Sequence, residues 1–367
     1  MRYEILKLLK EAGSDYVTGV DIGTRFGISR SAVWKHINEL RSEGYEIESA
    51  PNLGYRLLSG SGRLNPFEIM NGLGTRTAGC EVVWFDEITS TNTHAAKLAA
   101  EGCSEGMTVV AGMQTHGKGR LGRSWESPGG KGIYLSVVLR PPMAPPETPV
   151  LTLAAAVATV RAIYAATGIR TGIKWPNDII FNGRKISGIL LEMNSEADRV
   201  NYIILGIGIN YSQTEEDFPP ELRDRAVSVL SASGGRIPGR AEPDGRENGP
   251  GGPENTPGAR KNTQYAQKNS YDGDAGRLSL IRTLLREIDN IYHDILSGKT
   301  GEILDEWRRF SVTLGKEVRF SLRNAEYTGK AVDITENGSL LVDCSDGVRR
   351  ELLSGEISVR GIFGYAG

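Results

Sequence analysis

Apolar residues recur at helical spacing at the front of the chain and then switch to a period of two. Ile5, Leu8, Leu9 and Ala12 share one face of a helix over residues 2–12, with Gly13 placed to cap its end. Thr18 and Asp21, three residues apart, form a capping box. It opens a second short helix with Ile22 and Phe26 inward and Gly27 at its end. Ser29 then caps a third helix whose stripe is Val33, Ile37 and Leu40, closed by Gly44. Two short helices joined through Gly27-Ile28 predict a helix-turn-helix, the third helix being the one that enters a major groove. Ser29, Arg30, Ser31, Lys35 and His36 lie on its start and polar side, where they meet phosphates or base edges. Tyr45–Glu48, the turn Pro51-Asn52-Leu53-Gly54 and Tyr55–Leu58 complete residues 1–60 as a winged hairpin. The competing reading is a three-helix interaction module with a merely solvated polar face. Residues 1–60 carry eight basic and eight acidic side chains, a weak electrostatic footprint for a DNA binder. The order of cap, turn, polar face and wing still favours DNA.

From about 64 to 311 helical and strand patterns mix. Residues 107–113, 133–139, 185–193 and 202–209 read as strands, and 92–101 as a helix. Thr148-Pro149 opens a longer helix, with proline in its first turn, running to Thr167 before Gly168. This predicts a central α/β domain around a mixed sheet. Residues 236–276 break the pattern: 13 of 41 are Gly or Pro, and Ile237 is the single large aliphatic. Such a stretch buries too little to offset its ordering entropy, so it reads as a disordered insertion. A helix resumes at Leu278 with Ile281, Leu284, Leu285, Ile288 and Ile291 as its stripe. Residues 313–363 turn to short strands: Val318, Phe320 and Leu322 alternate, Asn337-Gly338 and Asp346-Gly347 mark hairpins, and 340–342 and 357–359 follow. That pattern predicts a small SH3-like barrel, making the whole an α+β multidomain chain.

Composition narrows the class. Forty-three Lys and Arg against 45 Asp and Glu leave a formal charge of −2, so nucleic-acid or membrane binding must come from a local patch. Cys80, Cys103 and Cys344 are odd in number and far apart, against a disulfide framework or cysteine zinc site. The most apolar run, 150–160, is shorter than a bilayer span of about 20 residues. The amino terminus lacks the features of a signal peptide. A cytoplasmic protein is expected.

Candidate chemistry concentrates in Gln114-Thr-His-Gly117-Lys118-Gly119-Arg120-Leu-Gly122-Arg123-Ser-Trp125. Three glycines open the backbone to close approach, and three cations stand without an acid, an arrangement suited to a carboxylate or phosphate. Gly112, Gly117 and Lys118 match part of a P-loop, but Gly119 replaces the Ser or Thr that ligates magnesium. An exposed solubilising loop is the plainer alternative, which the closely spaced glycines argue against. Lys174-Trp175-Pro176-Asn177-Asp178 precedes Gly183-Arg184-Lys185-Ile-Ser-Gly188, and a hairpin between them returns Lys185 beside Asp178. In isolation that pair reads as a structural ion pair. Gly206-Ile-Gly208-Ile-Asn210 does not continue as a dinucleotide fingerprint. Ser90-Thr91-Asn92 serves a helix start or a polar ligand there. HExxH and GxSxG motifs are absent from the sequence.

The basic glycine loop 117–123, KWPND at 174–178, 183–188 and GIGIN at 206–210 together resemble biotin–protein ligases. With the helix-turn-helix in front, the chain is similar to the bacterial bifunctional ligases that also repress the biotin operon. Lipoate ligases share the catalytic fold without these two leading motifs. The resemblance implies a class II synthetase-like catalytic domain at 64–311. It implies synthesis of biotinyl-5′-AMP from biotin and MgATP, and transfer to a lysine of a biotin carboxyl carrier protein. Ser90, Thr91, Asn92, Gln114, Lys118, Gly119, Arg120, Trp125, Lys185 and Gly188 would then hold biotin. Gly117, Lys118, Arg120, Arg123, Asn177, Lys185 and Asn210 would hold ATP or the adenylate, with Arg120, Lys185 and Asp178 catalytic. Lys118 stands where the family more often has arginine, keeping the charge without the bidentate fork. Magnesium ligands are not assignable from the sequence. Operator DNA and a ligand-promoted homodimer complete the implied partners, with no membrane. A winged-helix factor with a non-catalytic sensor domain is the rival reading.

Overall fold

The computed structural model describes residues 1–59, 64–235, 264–322, 325–353 and 360–361. The described residues divide into two compact units, those within 1–67 with 264–275, and those within 68–235 with those from 276 onward.

In the first unit, α1 (Arg2–Glu11), α2 (Gly19–Phe26) and α3 (Arg30–Ser42) precede a hairpin of β1 (Glu46–Ala50) and β2 (Gly54–Ser59). The caps form as the sequence predicts. Thr18 Oγ1 accepts from the Asp21 amide at 3.0 Å, and Ser29 Oγ accepts from the Ala32 amide at 3.2 Å. Gly27 ends α2 in the left-handed conformation, φ 65°. Ile5, Leu6, Leu9, Ile22, Val33, Ile37 and Leu40 meet in one core, with Leu6 more deeply placed than the expected Leu8. The hairpin is tied down by reciprocal Val17–Tyr55 backbone bonds of 2.9 Å.

α4 (Pro66–Met70) leads to a seven-stranded sheet in the order β3-β4-β5-β9-β8-β7-β6. These strands are β3 (Glu81–Phe85), β4 (Met107–Ala111), β5 (Gly132–Leu139), β6 (Gly172–Lys174), β7 (Asp178–Phe181), β8 (Arg184–Ser195) and β9 (Val200–Asn210). Only β3 and β4 pair in parallel; the remaining neighbours are antiparallel. α5 (Thr91–Ala100) packs Ala95 and Ala99 on Val109, Val138 and Ile204. α6 (Pro149–Thr167), capped by Gly168 at φ 71°, is buried along most of its length. It is apolar and long enough to cross a membrane, but its burial is that of a core helix. α7 (Val229–Ala232) is a single turn, and α9 (Thr300–Phe310) packs on α6.

α8 (Gln264–Leu296) corrects the expected insertion, since helix starts well before Leu278. Residues 264–277 lack large aliphatic side chains, yet they contain no proline, and the apolar stripe beyond them nucleates a helix that extends backwards. Residues 236–263 lie outside the described part of the chain. β10 (Glu317–Leu322), β11 (Ala325–Ile334), β12 (Leu340–Cys344), β13 (Arg349–Leu352) and β14 (Arg360–Gly361) form an antiparallel sheet ordered β13-β12-β11-β10-β14. Gly338 and Gly347 occupy its turns at φ 84° and 81°. The strand expected at 357–359 and the end of the 313–363 segment also fall outside the described residues.

Candidate active site

The site lies where β8 and β9 pair beneath the start of α5 and the loop joining β4 to β5. Gly188 faces Gly208 in the register, with Gly206 two residues away on the same face. A Cβ on Gly206 would sit 1.9 Å from Asn92 Oδ1, and one on Gly208 2.5 Å from the Trp125 ring. At Gly188 it would stand 2.9 Å from both the Trp125 ring and Lys185. These glycines therefore make a floor low enough for Asn92 and the Trp125 indole, which explains a GIGIN motif that fits no nucleotide fingerprint.

One end of the cleft is a network of hydroxyl and amide groups that ends on the Glu192 carboxylate. The Thr91 amide and hydroxyl both donate to Gln114 Oε1, at 2.8 and 3.0 Å. Gln114 Nε2 donates to Ser127 Oγ at 2.9 Å, and Ser127 donates to the Trp125 carbonyl at 3.0 Å. Ser136 Oγ lies 2.6 Å from Asn92 Oδ1 and 2.8 Å from Thr91 Oγ1. Asn92 Nδ2 donates to Glu192 Oε2 at 2.7 Å. Ser90 is buried, and its hydroxyl does not cap α5. Groups held this firmly are suited to fixing the orientation of a polar ligand.

The other end is cationic. The loop folds on itself through Gly119 N to Arg123 O at 2.7 Å and Trp125 N to Gly117 O at 2.8 Å. Leu121, at φ 56°, takes a left-handed conformation at its tip. Arg120 Nη1 donates to Asn177 Oδ1 at 3.0 Å, and Asn177 is fixed by its own bond to the Ile189 carbonyl at 2.8 Å. Burial pulls the Arg120 guanidinium below its ordinary value, the Asp178 charge opposing that. It remains a cation at neutral pH. The turn Asn182-Gly183, φ 47° and 76°, folds β7 against β8 and brings Lys185 Nζ to 2.5 Å from Asp178 Oδ1. The same ammonium stands 5.1 Å from the Trp125 ring centre. Lys118 Nζ is 3.4 Å from Glu192 Oε1.

Of the residues expected from sequence, Ser90, Thr91, Asn92, Gln114, Lys118, Gly119, Arg120, Trp125, Asn177, Lys185 and Gly188 line one cleft. Gly117 and Arg123 border the adjoining opening. Asp178 enters through its pairing with Lys185. Asn210 does not line the cleft: it is buried, and its Nδ2 donates to the Lys185 and Val227 carbonyls at 3.4 and 3.3 Å. It is a brace behind Lys185. Sequence reasoning missed Ser127, Ser136 and Glu192, because lone serines and a strand glutamate carry no motif, and it quoted Gly206 in GIGIN without giving it a place in the site. Among the described residues no group of three His, Cys, Asp or Glu gathers as a metal site.

In the first unit Ser29, Arg30, Ser31 and Lys35 are exposed on α3. His36 is partly turned aside, its Nδ1 2.9 Å from Glu39 Oε2.

Residues 2–56 match the HTH domain family, 84–210 the Biotin/lipoate A/B protein ligase family, and 313–360 the Biotin protein ligase C terminal domain. The chain is 39% identical over 350 residues to the bifunctional ligase/repressor BirA of Bacillus spizizenii, covering 95% of this chain and 96% of that one. The Escherichia coli protein of the same name is 27% identical over 349 residues, 95% of this chain and 94% of its own. A biotin protein ligase from Aquifex aeolicus, solved in complex with biotin and ATP, superposes with a TM-score of 0.54 at 27% identity. That comparison covers 77% of this chain and 99% of the other.

Proposed function

The chain belongs to the family of bifunctional biotin–protein ligases and repressors, and from that premise we propose how its residues divide the work. It activates biotin with ATP to biotinyl-5′-AMP, transfers the biotinyl group to a carrier-protein lysine, and represses transcription through its helix-turn-helix. One observation carries the assignment of roles: a polar hydrogen-bonding network and a cluster of cations share a single cleft, with Trp125 between them.

The ureido ring of biotin, with its own donors and acceptor, fits the end made by Ser90, Thr91, Asn92 and Gln114. Its carboxylate then points toward Lys118, Arg120 and Lys185, and Trp125 covers the chain between. In the first step the carboxylate oxygen attacks the α-phosphorus of MgATP and pyrophosphate leaves. Catalysis here is alignment of two anions plus stabilisation of the charge that develops. Arg120, desolvated and aimed by Asn177, and Lys185 supply that stabilisation, while the Gly117–Arg123 backbone allows the phosphate to approach. Magnesium arrives with the nucleotide as part of the substrate.

In the second step the acceptor amine attacks the mixed-anhydride carbonyl and AMP departs. Asp178 orients that amine and takes its proton once Lys185 is drawn to the phosphate. No covalent enzyme intermediate is needed.

The adenylate also serves as the signal. The loop 115–131 closes over it and favours pairing of two catalytic domains, so that two recognition helices meet a two-fold operator. Biotin-dependent exchange of labelled pyrophosphate into ATP tests the first step. Exchange that requires biotin supports this assignment; exchange without it, or none, contradicts it.

A further inference from the structure

α3 carries a large aromatic that the recognition-face residues do not account for. Trp34 is 60% exposed, in the second turn of the helix that enters the groove. A single exposed apolar side chain is ordinary on a protein surface, but this indole stands on the helix that the repressor reading places in the groove. Its position on the helix is fixed by two observations. Ser31 and Lys35 lie opposite the buried stripe Val33, Ile37 and Leu40, so they mark the outward centre. Arg41, seven residues after Trp34 and thus on nearly the same row, donates to the Ile47 carbonyl at 2.7 and 3.0 Å and to Ser49 Oγ at 2.6 Å. Trp34 therefore stands on the wing-side flank of the polar face, one helical turn from Ser31.

We infer that Trp34 is a specificity-determining residue of the repressor, packing its indole against the 5-methyl group of a thymine in the major groove. The first turns of a recognition helix are the part that reaches base edges, and the thymine methyl is the apolar feature displayed there. Phosphate contacts fix register without reading sequence, so selection among sequences falls to the side chains that reach base edges. The inference rests on the repressor half of the proposed function and not on the ligase half.

The test uses the full chain loaded with biotin and ATP and a duplex that the wild type selects from a random pool. Its thymines are then replaced one at a time by uracil, which removes only the methyl group. One uracil should weaken wild-type binding by about fourfold, the worth of one buried methyl group. Trp34→Ala should weaken binding to the thymine duplex by the same factor and be indifferent to that uracil. Its salt dependence should stay unchanged, whereas Lys35→Ala should lower the slope by about one. Ligation should be unaffected in both variants. Equal loss by Trp34→Ala on every duplex, insensitivity of the wild type to each uracil, or weaker dimerisation of the variant would overturn the inference. If the wild type selects no sequence, the repressor reading falls with it, while the ligase assays stand.

Discussion

Lys185 Nζ and Asp178 Oδ1 sit 2.5 Å apart across the β7–β8 hairpin, and the proposed mechanism gives each a different step. The pair separates the steps experimentally. Lys185→Ala should slow adenylate formation by about 10²-fold or more, since it removes a preorganised charge from the phosphate. Asp178→Asn keeps the shape and should spare adenylate formation while slowing transfer to the carrier by about 10²–10⁴-fold, the usual contribution of a positioned base. Rapid-quench measurement of adenylate and of biotinylated carrier distinguishes the two. Equal loss of both steps in Asp178→Asn would remove the base role.

Arg120→Ala should lower pyrophosphate exchange by about 10²–10³-fold with an unchanged melting temperature. Its guanidinium is held by Asn177 and partly buried, so its contribution is made before the substrate arrives. Exchange within a few-fold of wild type would exclude it from charge stabilisation.

Gly206→Ala drives a methyl into Asn92 Oδ1, which is itself bonded to Ser136. The expected result is a biotin KM raised at least about tenfold, with stability reduced by about 1–3 kcal/mol through overpacking. Titration of biotin in the exchange assay reads the first and thermal unfolding the second. A KM for biotin at the wild-type value would mean that Asn92 does not meet the ring.

Much of this was legible in the sequence where the reason was local. Thr18, Gly27 and Ser29 announce their caps within four residues, and the α3 stripe follows from period alone. The hairpin expected between 174–178 and 183–188 placed Lys185 beside Asp178, and the structure forms it through an Asn182-Gly183 turn. The reason for Gly206 and Gly208 is not local: it lies in Asn92 and Trp125, far off in the chain. Glu192 escaped notice because a half-buried glutamate within a strand has no signature until Asn92 and Lys118 come to it. Asn210 was assigned to the adenylate by its motif, yet its side chain faces backbone carbonyls behind Lys185.

The start of α8 at Gln264 also sets the boundary for a deletion. Replacing residues 238–261 by a short Gly/Ser link should leave ligation within about twofold, because closing entropy grows slowly with loop length. The rate of carrier biotinylation checks this. Loss of activity in a folded variant would make the segment a working part of the enzyme.

The regulatory switch predicts that dimer and DNA affinity rise together. A ligand shifts an equilibrium only through its preference for one state, and the coupling is reciprocal. Sedimentation and operator binding should both strengthen with biotin plus ATP and weaken again on adding acceptor carrier. A chain equally dimeric and equally tight on DNA without ligand would eliminate the switch.

Intact-mass analysis of an acceptor carrier domain, incubated with the full chain, biotin and MgATP, tests the central claim most directly. The account predicts a gain of one biotinyl group on one lysine, dependent on ATP and abolished when that lysine is changed to arginine. A carrier whose mass does not change, with the chain still binding biotin in the cleft, would leave a sensor in place of a ligase and contradict it.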